Sequence, residues 1–183
     1  LVIIGLIVGS FLTCFKNRLD DLGSILVGRS KCPKCHHRLD FVDLFHVLSY
    51  CFLGGKCRYC KKRISAEYPI IELLTAAISL FVFGIYGVST SSVFLFVSLC
   101  LLLVASVVDI EGKEVHLHLL VSGIITAALF RIIDHVSLGQ ALNMLAGMAA
   151  GAVIPFAFSI VSKETWMGWG DSFFALWIGA LCG

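Results

Sequence analysis

The sequence predicts an all-α integral membrane protein: a polytopic bundle of about six transmembrane helices, with a small polar domain between helices one and two. Three observations carry this. Hydrophobic residues make up 58% of the 183-residue chain and charged residues 14%, against roughly 45–50% apolar in an ordinary soluble domain. The apolar residues fall in about six long runs joined by short connections. The formal net charge is only +2, yet eleven of the fourteen Lys and Arg lie between Lys16 and Arg63, so the basic residues are concentrated beside the first run.

Leu1 to Phe15 is apolar and is followed by Lys16, Asn17 and Arg18. A cleavable signal peptide carries its positive charges before its apolar core and a small-residue cleavage site after it. The order here is reversed, so the run reads as a first transmembrane helix whose basic flank places the following residues in the cytoplasm. Pro69 to Tyr86, Val93 to Val108, Leu119 to Ile133 and Leu142 to Val161 read as spans two to five, and Phe173 begins a sixth. Spans three and four are shorter than the roughly 20 residues a helix needs to cross a bilayer. Glycines and Pro155 inside the runs are tolerated in membrane helices. Position 1 is not methionine and the sixth run stops at Gly183, which suggests a chain cut at both ends.

Lys16 to Glu67 is the one substantial polar region, and it holds Cys32-Pro33-Lys34-Cys35 and Cys57-Arg58-Tyr59-Cys60. Two Cys-x-x-Cys turns at this separation suit a tetrahedral structural zinc site, each turn presenting two thiolates. Lys34 and Arg58 favour the deprotonated sulfur that a metal requires. Two disulfides or a redox pair are the other readings, and both weaken in a cytosolic loop, where thiols are kept reduced. Cys14, Cys51, Cys100 and Cys182 stand in apolar surroundings, where cysteine behaves as a small hydrophobe. Lys61-Lys62-Arg63 beside an apolar span reads as a topology signal that meets anionic lipid headgroups. It lacks the interleaved aromatics of a nucleic-acid surface.

Gly168-Trp169-Gly170-Asp171 stands on the threshold of the sixth run, where a loop meets an apolar segment, and its glycines would let a second chain approach closely. Asp109 closes the third run. With the polar domain cytoplasmic, alternation of the spans delivers Asp109 and Asp171 to that same face and leaves only Arg131, of all the Lys and Arg, on the other side. Two carboxylates held together cannot both ionise easily, so one keeps a proton while the other takes one from an attacking water. Such a pair titrates as a unit. The alternative is that each aspartate caps a helix or is solvated at the interface. Glu72 lies one turn inside the second span, where a carboxylate is costly unless paired or wet. It calls for a basic partner in the polar domain or a polar group in a cavity, unless it snorkels to the interface. His116-Leu117-His118 reads as an interfacial loop in preference to a metal pair.

Further motifs occur in order: Gly9-Ser10-Phe11-Leu12, Arg18-Leu19, Gly28-Arg29-Ser30, Leu48-Ser49-Tyr50, Gly55-Lys56-Cys57, Ile64-Ser65 and Tyr68-Pro69-Ile70-Ile71-Glu72-Leu73-Leu74-Thr75. With Asp109-Ile110-Glu111 and the Gly168 to Asp171 motif, they make the chain resemble, over nearly its whole length, the type IV prepilin peptidases, bacterial membrane aspartic proteases of the Gly-x-Gly-Asp class. The resemblance implies catalytic aspartates at Asp109 and Asp171, and structural zinc on Cys32, Cys35, Cys57 and Cys60. It implies a first helix over 1–15, a cytoplasmic zinc domain over 16–67 and a protease core over 68–183. The implied activity removes the basic leader from prepilins or pseudopilins at the cytoplasmic face of the inner membrane. Many such enzymes also methylate the new N-terminus with S-adenosylmethionine, and the resemblance gives Glu72 a role in methyl transfer or in domain docking. Four positions depart from the pattern. His46 and His116 replace prolines, Leu117 replaces Asp or Asn, and Phe173 replaces a lysine, which alters loop rigidity and charge near Asp171. The rival readings are a noncatalytic, zinc-stabilised assembly or transport component and a membrane thiol oxidoreductase.

Overall fold

The computed structural model describes residues 1–19, 32, 34–35, 37–38, 46–112, 114–134, 138–163 and 168–183. Gly28-Arg29-Ser30, Pro33, Lys113 and Glu164, which the sequence singles out, lie outside these. The elements are α1 (Val2–Lys16), α2 (His46–Phe52), α3 (Glu67–Tyr86), α4 (Thr90–Ile110), α5 (Leu117–Asp134), α6 (Leu138–Ser162) and α7 (Trp169–Cys182). The fold is all-helical, with one isolated antiparallel bridge, Lys56 to Arg63, among the described residues. Helices α3, α4 and α6 are long and apolar enough to cross a membrane, while α1, α5 and α7 are shorter apolar helices. The protein is thus a helical membrane protein.

Helix ends fall outside the apolar runs because capping, not hydropathy, decides them. Helix α4 reaches 21 residues, the length of a full span, where the run alone looks short. Ser89 caps it: its hydroxyl accepts the Ser92 amide at 3.2 Å, and the Ser92 hydroxyl accepts the Ser89 amide at 2.9 Å, a reciprocal box built from two serines. At the other end Gly112 adopts φ +68° and donates to the Asp109 carbonyl at 2.8 Å. Such a left-handed residue stops a helix. Helix α7 likewise starts four residues before the apolar run, so Asp171 lies inside its first turn and not in a preceding loop.

The chain divides into two compact units, Leu1–Ile85 and Tyr86–Gly183. In the first, α1 runs antiparallel to α3 at backbone contact. A Cβ on Gly5 would stand 2.5 Å from the Ala76 Cα, and one on Gly9 would stand 2.6 Å from the Glu72 Cα. Small residues four apart are what permit such an approach in membranes, where packing must replace the hydrophobic drive. The contact is tied at both ends. Ser79 donates to the Leu1 carbonyl at 3.2 Å, and the sheltered Lys16 ammonium pairs with Glu67.

In the second unit α6 and α7 pack antiparallel through the same device. A Cβ on Gly147 would meet the Gly179 carbonyl oxygen at 2.5 Å, and one on Gly151 would meet that of Ala175 at 2.4 Å. Helices α4, α5 and α7 meet at one buried rung. The Trp177 indole N–H donates to Ser98 Oγ at 2.8 Å, and Ser98 donates to the Gly123 carbonyl at 3.3 Å.

Candidate functional site

The rung fixes where the two aspartates stand. Arg131, near the end of α5, donates to the Leu181 carbonyl near the end of α7 at 2.7 Å. Gly123, nearer the start of α5, lies against Trp177 in the middle of α7. Helices α5 and α7 are therefore parallel, and α4, joined to α5 by a short turn, runs against them. At a rise of 1.5 Å per residue, Asp171 lies ~9 Å from the rung toward the start of α7, and Asp109 lies ~16 Å from it toward the end of α4. Both directions are the same, so the two carboxylates occupy one end of the unit.

Both aspartates are exposed. The Gly168 amide donates to Asp171 Oδ2 at 3.2 Å. This is the return half of a capping box, since a glycine cap has no side chain to offer. Asp171 thus stands over the unpaired amides of a first turn, whereas Asp109 stands in a last turn, over carbonyls. The pair faces helix ends of opposite polarity. His116 and His118, at the same end, stack with ring centroids 5.2 Å apart.

Gly168 and Gly170 take ordinary backbone angles in this arrangement. Among the described residues, a Cβ on Gly170 would meet nothing within 4 Å, and one on Gly168 would meet only the Gly170 amide, at 4.0 Å. The described residues thus leave room beside the carboxylate for another chain to lie against.

In the first unit the sulfurs of Cys32, Cys35, Cys57 and Cys60 all lie within 4.8 Å of one another, and all four are free thiols. Each turn is closed by its own backbone: the Cys32 amide donates to the His37 carbonyl and the Cys57 amide to that of Lys62, both at 2.9 Å. The His37 and Tyr59 rings stack at 3.7 Å and join the two turns. Burial pushes the Cys32 thiol up. The backbone of Lys34 and Cys35 and the thiols of Cys35 and Cys57 outweigh that and bring it below the usual thiol range. The His37 backbone lowers Cys35, but burial and sharing with Cys32 and Cys60 leave it pushed up to about 11. A tetrahedral zinc with sulfurs at 2.3 Å sets them ~3.8 Å apart. The donor set fits a metal ion with a small contraction.

Residues 3–86 match the bacterial peptidase A24 N-terminal domain, and residues 96–183 match the type IV leader peptidase family. The chain belongs to the type IV leader peptidase family. It is 33% identical over 152 residues to a prepilin leader peptidase/N-methyltransferase of Dichelobacter nodosus, covering 81% of this chain and 52% of the relative. It is 38% identical over 111 residues to the Bacillus subtilis (strain 168) protein of that name, covering 61% and 45%. To that of Myxococcus xanthus (strain DK1622) it is 30% identical over 194 residues, covering 98% and 54%. The chain spans about half the length of these relatives. No solved structure matches it.

Within this chain Glu72 is only 1% exposed, and its Oε2 accepts the Val47 amide at 2.9 Å. That amide opens α2, so a carboxylate on a membrane helix holds the first turn of a helix from the cysteine-bearing segment. Anions are favoured there. Helix α6 supplies contacts that hydropathy does not reveal. Phe156 sits edge-on to Trp169 and Phe173, and Ser159 lies within hydrogen-bond reach of Gly168 and Ser172. Phe173, in the place of the expected lysine, is spent on this packing.

Proposed function

We propose that this chain is a membrane aspartic endopeptidase of the bacterial inner membrane that removes the basic leader from type IV prepilins or pseudopilins on the cytoplasmic side. The reading is carried by one observation: Asp109 and Asp171, from helices far apart in sequence, lie at the same end of one unit. The ionised carboxylate takes a proton from a water attacking the scissile carbonyl while the protonated one donates to its oxygen. Collapse of the tetrahedral species then returns a proton to the leaving amine. Gly168, exposed, and Gly170, half-buried, carry no side chain to keep the substrate backbone from the pair. Residues 16–67 form the cytoplasmic domain, with zinc on Cys32, Cys35, Cys57 and Cys60, and 68–183 form the protease core. Bound zinc would supply folding energy to that domain and no chemistry at the aspartates. Glu72 docks the domain by holding α2. Where the chain also acts as an N-methyltransferase, S-adenosylmethionine supplies the methyl group for the new N-terminus.

The test is to incubate the bilayer-embedded protein with a prepilin, with and without S-adenosylmethionine, and to weigh the products. Loss of the leader supports the reading, and an intact prepilin contradicts it. A gain of one methyl only with the donor present supports the second activity.

Two variants probe the parts separately. Cys32→Ser is expected to lose bound zinc and make the cysteine segment protease-sensitive, because structural zinc contributes folding energy outright. Full zinc occupancy, read by elemental analysis, would remove Cys32 from the ligand set. Gly170→Ala is expected to fold at least as stably as the parent, since helical alanine is favoured over glycine and its methyl meets nothing within 4 Å among the described residues. Its kcat/KM on prepilin should nevertheless fall about tenfold or more, a ~1.4 kcal/mol loss. An unchanged kcat/KM would mean that no substrate backbone lies there.

A further inference from the structure

Hydroxyls in apolar helices commonly bond back to their own helix, and Thr13, Thr75, Ser106 and Thr126 do so. Ser159 does not. Its Oγ donates to the Gly168 carbonyl at 3.3 Å and lies 3.3 Å from Ser172 Oγ. Ser159 is 1% exposed and Ser172 0% exposed, so neither hydroxyl is served by water. A hydroxyl carries one proton. With that of Ser159 given to Gly168, Ser172 donates to Ser159, and the direction of the chain is set. The Gly168 amide in turn donates to Asp171 Oδ2 at 3.2 Å. Gly168 thus receives a bond from α6 on its carbonyl and passes one to the carboxylate from its amide. Phe156, three residues before Ser159 and on the same face of α6, packs edge-on against Trp169 at 5.6 Å and Phe173 at 6.1 Å. The contacts fall on residues 168, 169, 172 and 173 and leave Asp171 itself exposed.

We propose that Ser159 is a positioning residue for the peptidase reaction, holding Asp171 in its reactive orientation through the Gly168 peptide. This rests on the aspartic peptidase reading above. Without the hydroxyl, the Gly168 carbonyl loses its tether to α6, and the amide that orients the carboxylate is no longer fixed. The substrate still binds, because Ser159 is buried beneath the motif and offers it no surface of its own.

The experiment uses the full chain in bilayers, with Ser159→Ala, Ser159→Thr and, as a control, Thr126→Ala, which removes a hydroxyl bonded only within its own helix. Ser159→Ala is expected to lower kcat for prepilin cleavage ten- to a hundredfold with KM unchanged, Ser159→Thr to restore most of it, and Thr126→Ala to leave kcat within a fewfold. Hydrogen exchange of the 168–171 amides, read on the same samples, should accelerate in Ser159→Ala alone. An unchanged kcat, an unchanged exchange rate, or a loss of kcat in Thr126→Ala matching that of Ser159→Ala would overturn the proposal. Faster exchange in Ser159→Ala together with a parent protein that cleaves no prepilin would sink the peptidase reading and leave the tether standing.

Discussion

Asp109→Asn and Asp171→Asn are each expected to abolish prepilin cleavage, by roughly 10³-fold or more, while helix content and bound metal stay as in the parent. The size follows from the chemistry. An amide neither takes a proton from water nor donates one to a carbonyl oxygen as a carboxyl does, so either change removes one half of a two-part proton transfer. The double variant should cost little more than either single one, because groups that act as a unit are not additive. Folding is spared for reasons particular to each site. Both side chains are exposed, where substitution changes stability by only about 0.5 kcal/mol. The asparagine at 171 keeps a carbonyl oxygen for the Gly168 amide that now donates to Oδ2. The measurement is product mass with circular dichroism and metal content on the same preparation. Cleavage by either variant would favour a noncatalytic assembly component, the reading in which both aspartates only end helices.

Gly123→Ala should have the largest effect on stability of any single methyl in the second unit. A Cβ at 123 would lie 2.1 Å from Cζ2 and 2.3 Å from Cη2 of the Trp177 indole, and that ring is fully buried. The indole cannot turn aside without breaking its bond to Ser98, and Ser98 is bonded in turn to the Gly123 carbonyl. Overpacking of a close-fitted core costs typically 1–3 kcal/mol and at times more, and the loss of the two bonds adds roughly 1 kcal/mol each. A drop of about 3–5 kcal/mol is expected, read as a lowered midpoint of thermal unfolding in detergent or as loss of expressed protein. Trp177→Leu in the Gly123→Ala background should recover part of it by clearing the collision. A stable Gly123→Ala protein would mean that α5 and α7 do not meet at this rung.

The parts of this molecule legible in its sequence are those written locally. Apolar runs located the six apolar helices, and Cys-x-x-Cys turns located four sulfurs that do gather, because each pair is set by a tight turn and only one long-range closure remains. Helix ends were less legible. Hydropathy rises only at Phe173, although glycine at 168 with an acid three residues on is the mark of a helix start. Glycines are tolerated anywhere in membrane helices, yet Gly5 and Gly9, or Gly147 and Gly151, are where helices touch. Small residues four apart announce a contact face without naming its partner. Nothing in the sequence points to the backbone amide of Val47 as one of the groups that Glu72 holds. A helix terminus has no side chain to advertise it. Ser159 was invisible for a related reason: one hydroxyl in an apolar run looks like any other until the fold shows that it bonds outward.

The claim on which the rest depends is that Asp109 and Asp171 work from one side of the membrane. It is tested most directly by adding one cysteine, at 109 or at 171, to a chain whose Cys14, Cys51, Cys100 and Cys182 are alanine and whose Cys32, Cys35, Cys57 and Cys60 are kept, with labelling read at the added residue by peptide mass. A membrane-impermeant thiol reagent is then applied to oriented vesicles from each side in turn. Labelling of both positions from the cytoplasmic side alone is the expected result. Labelling of one from the cytoplasmic side and the other from the opposite side would contradict it.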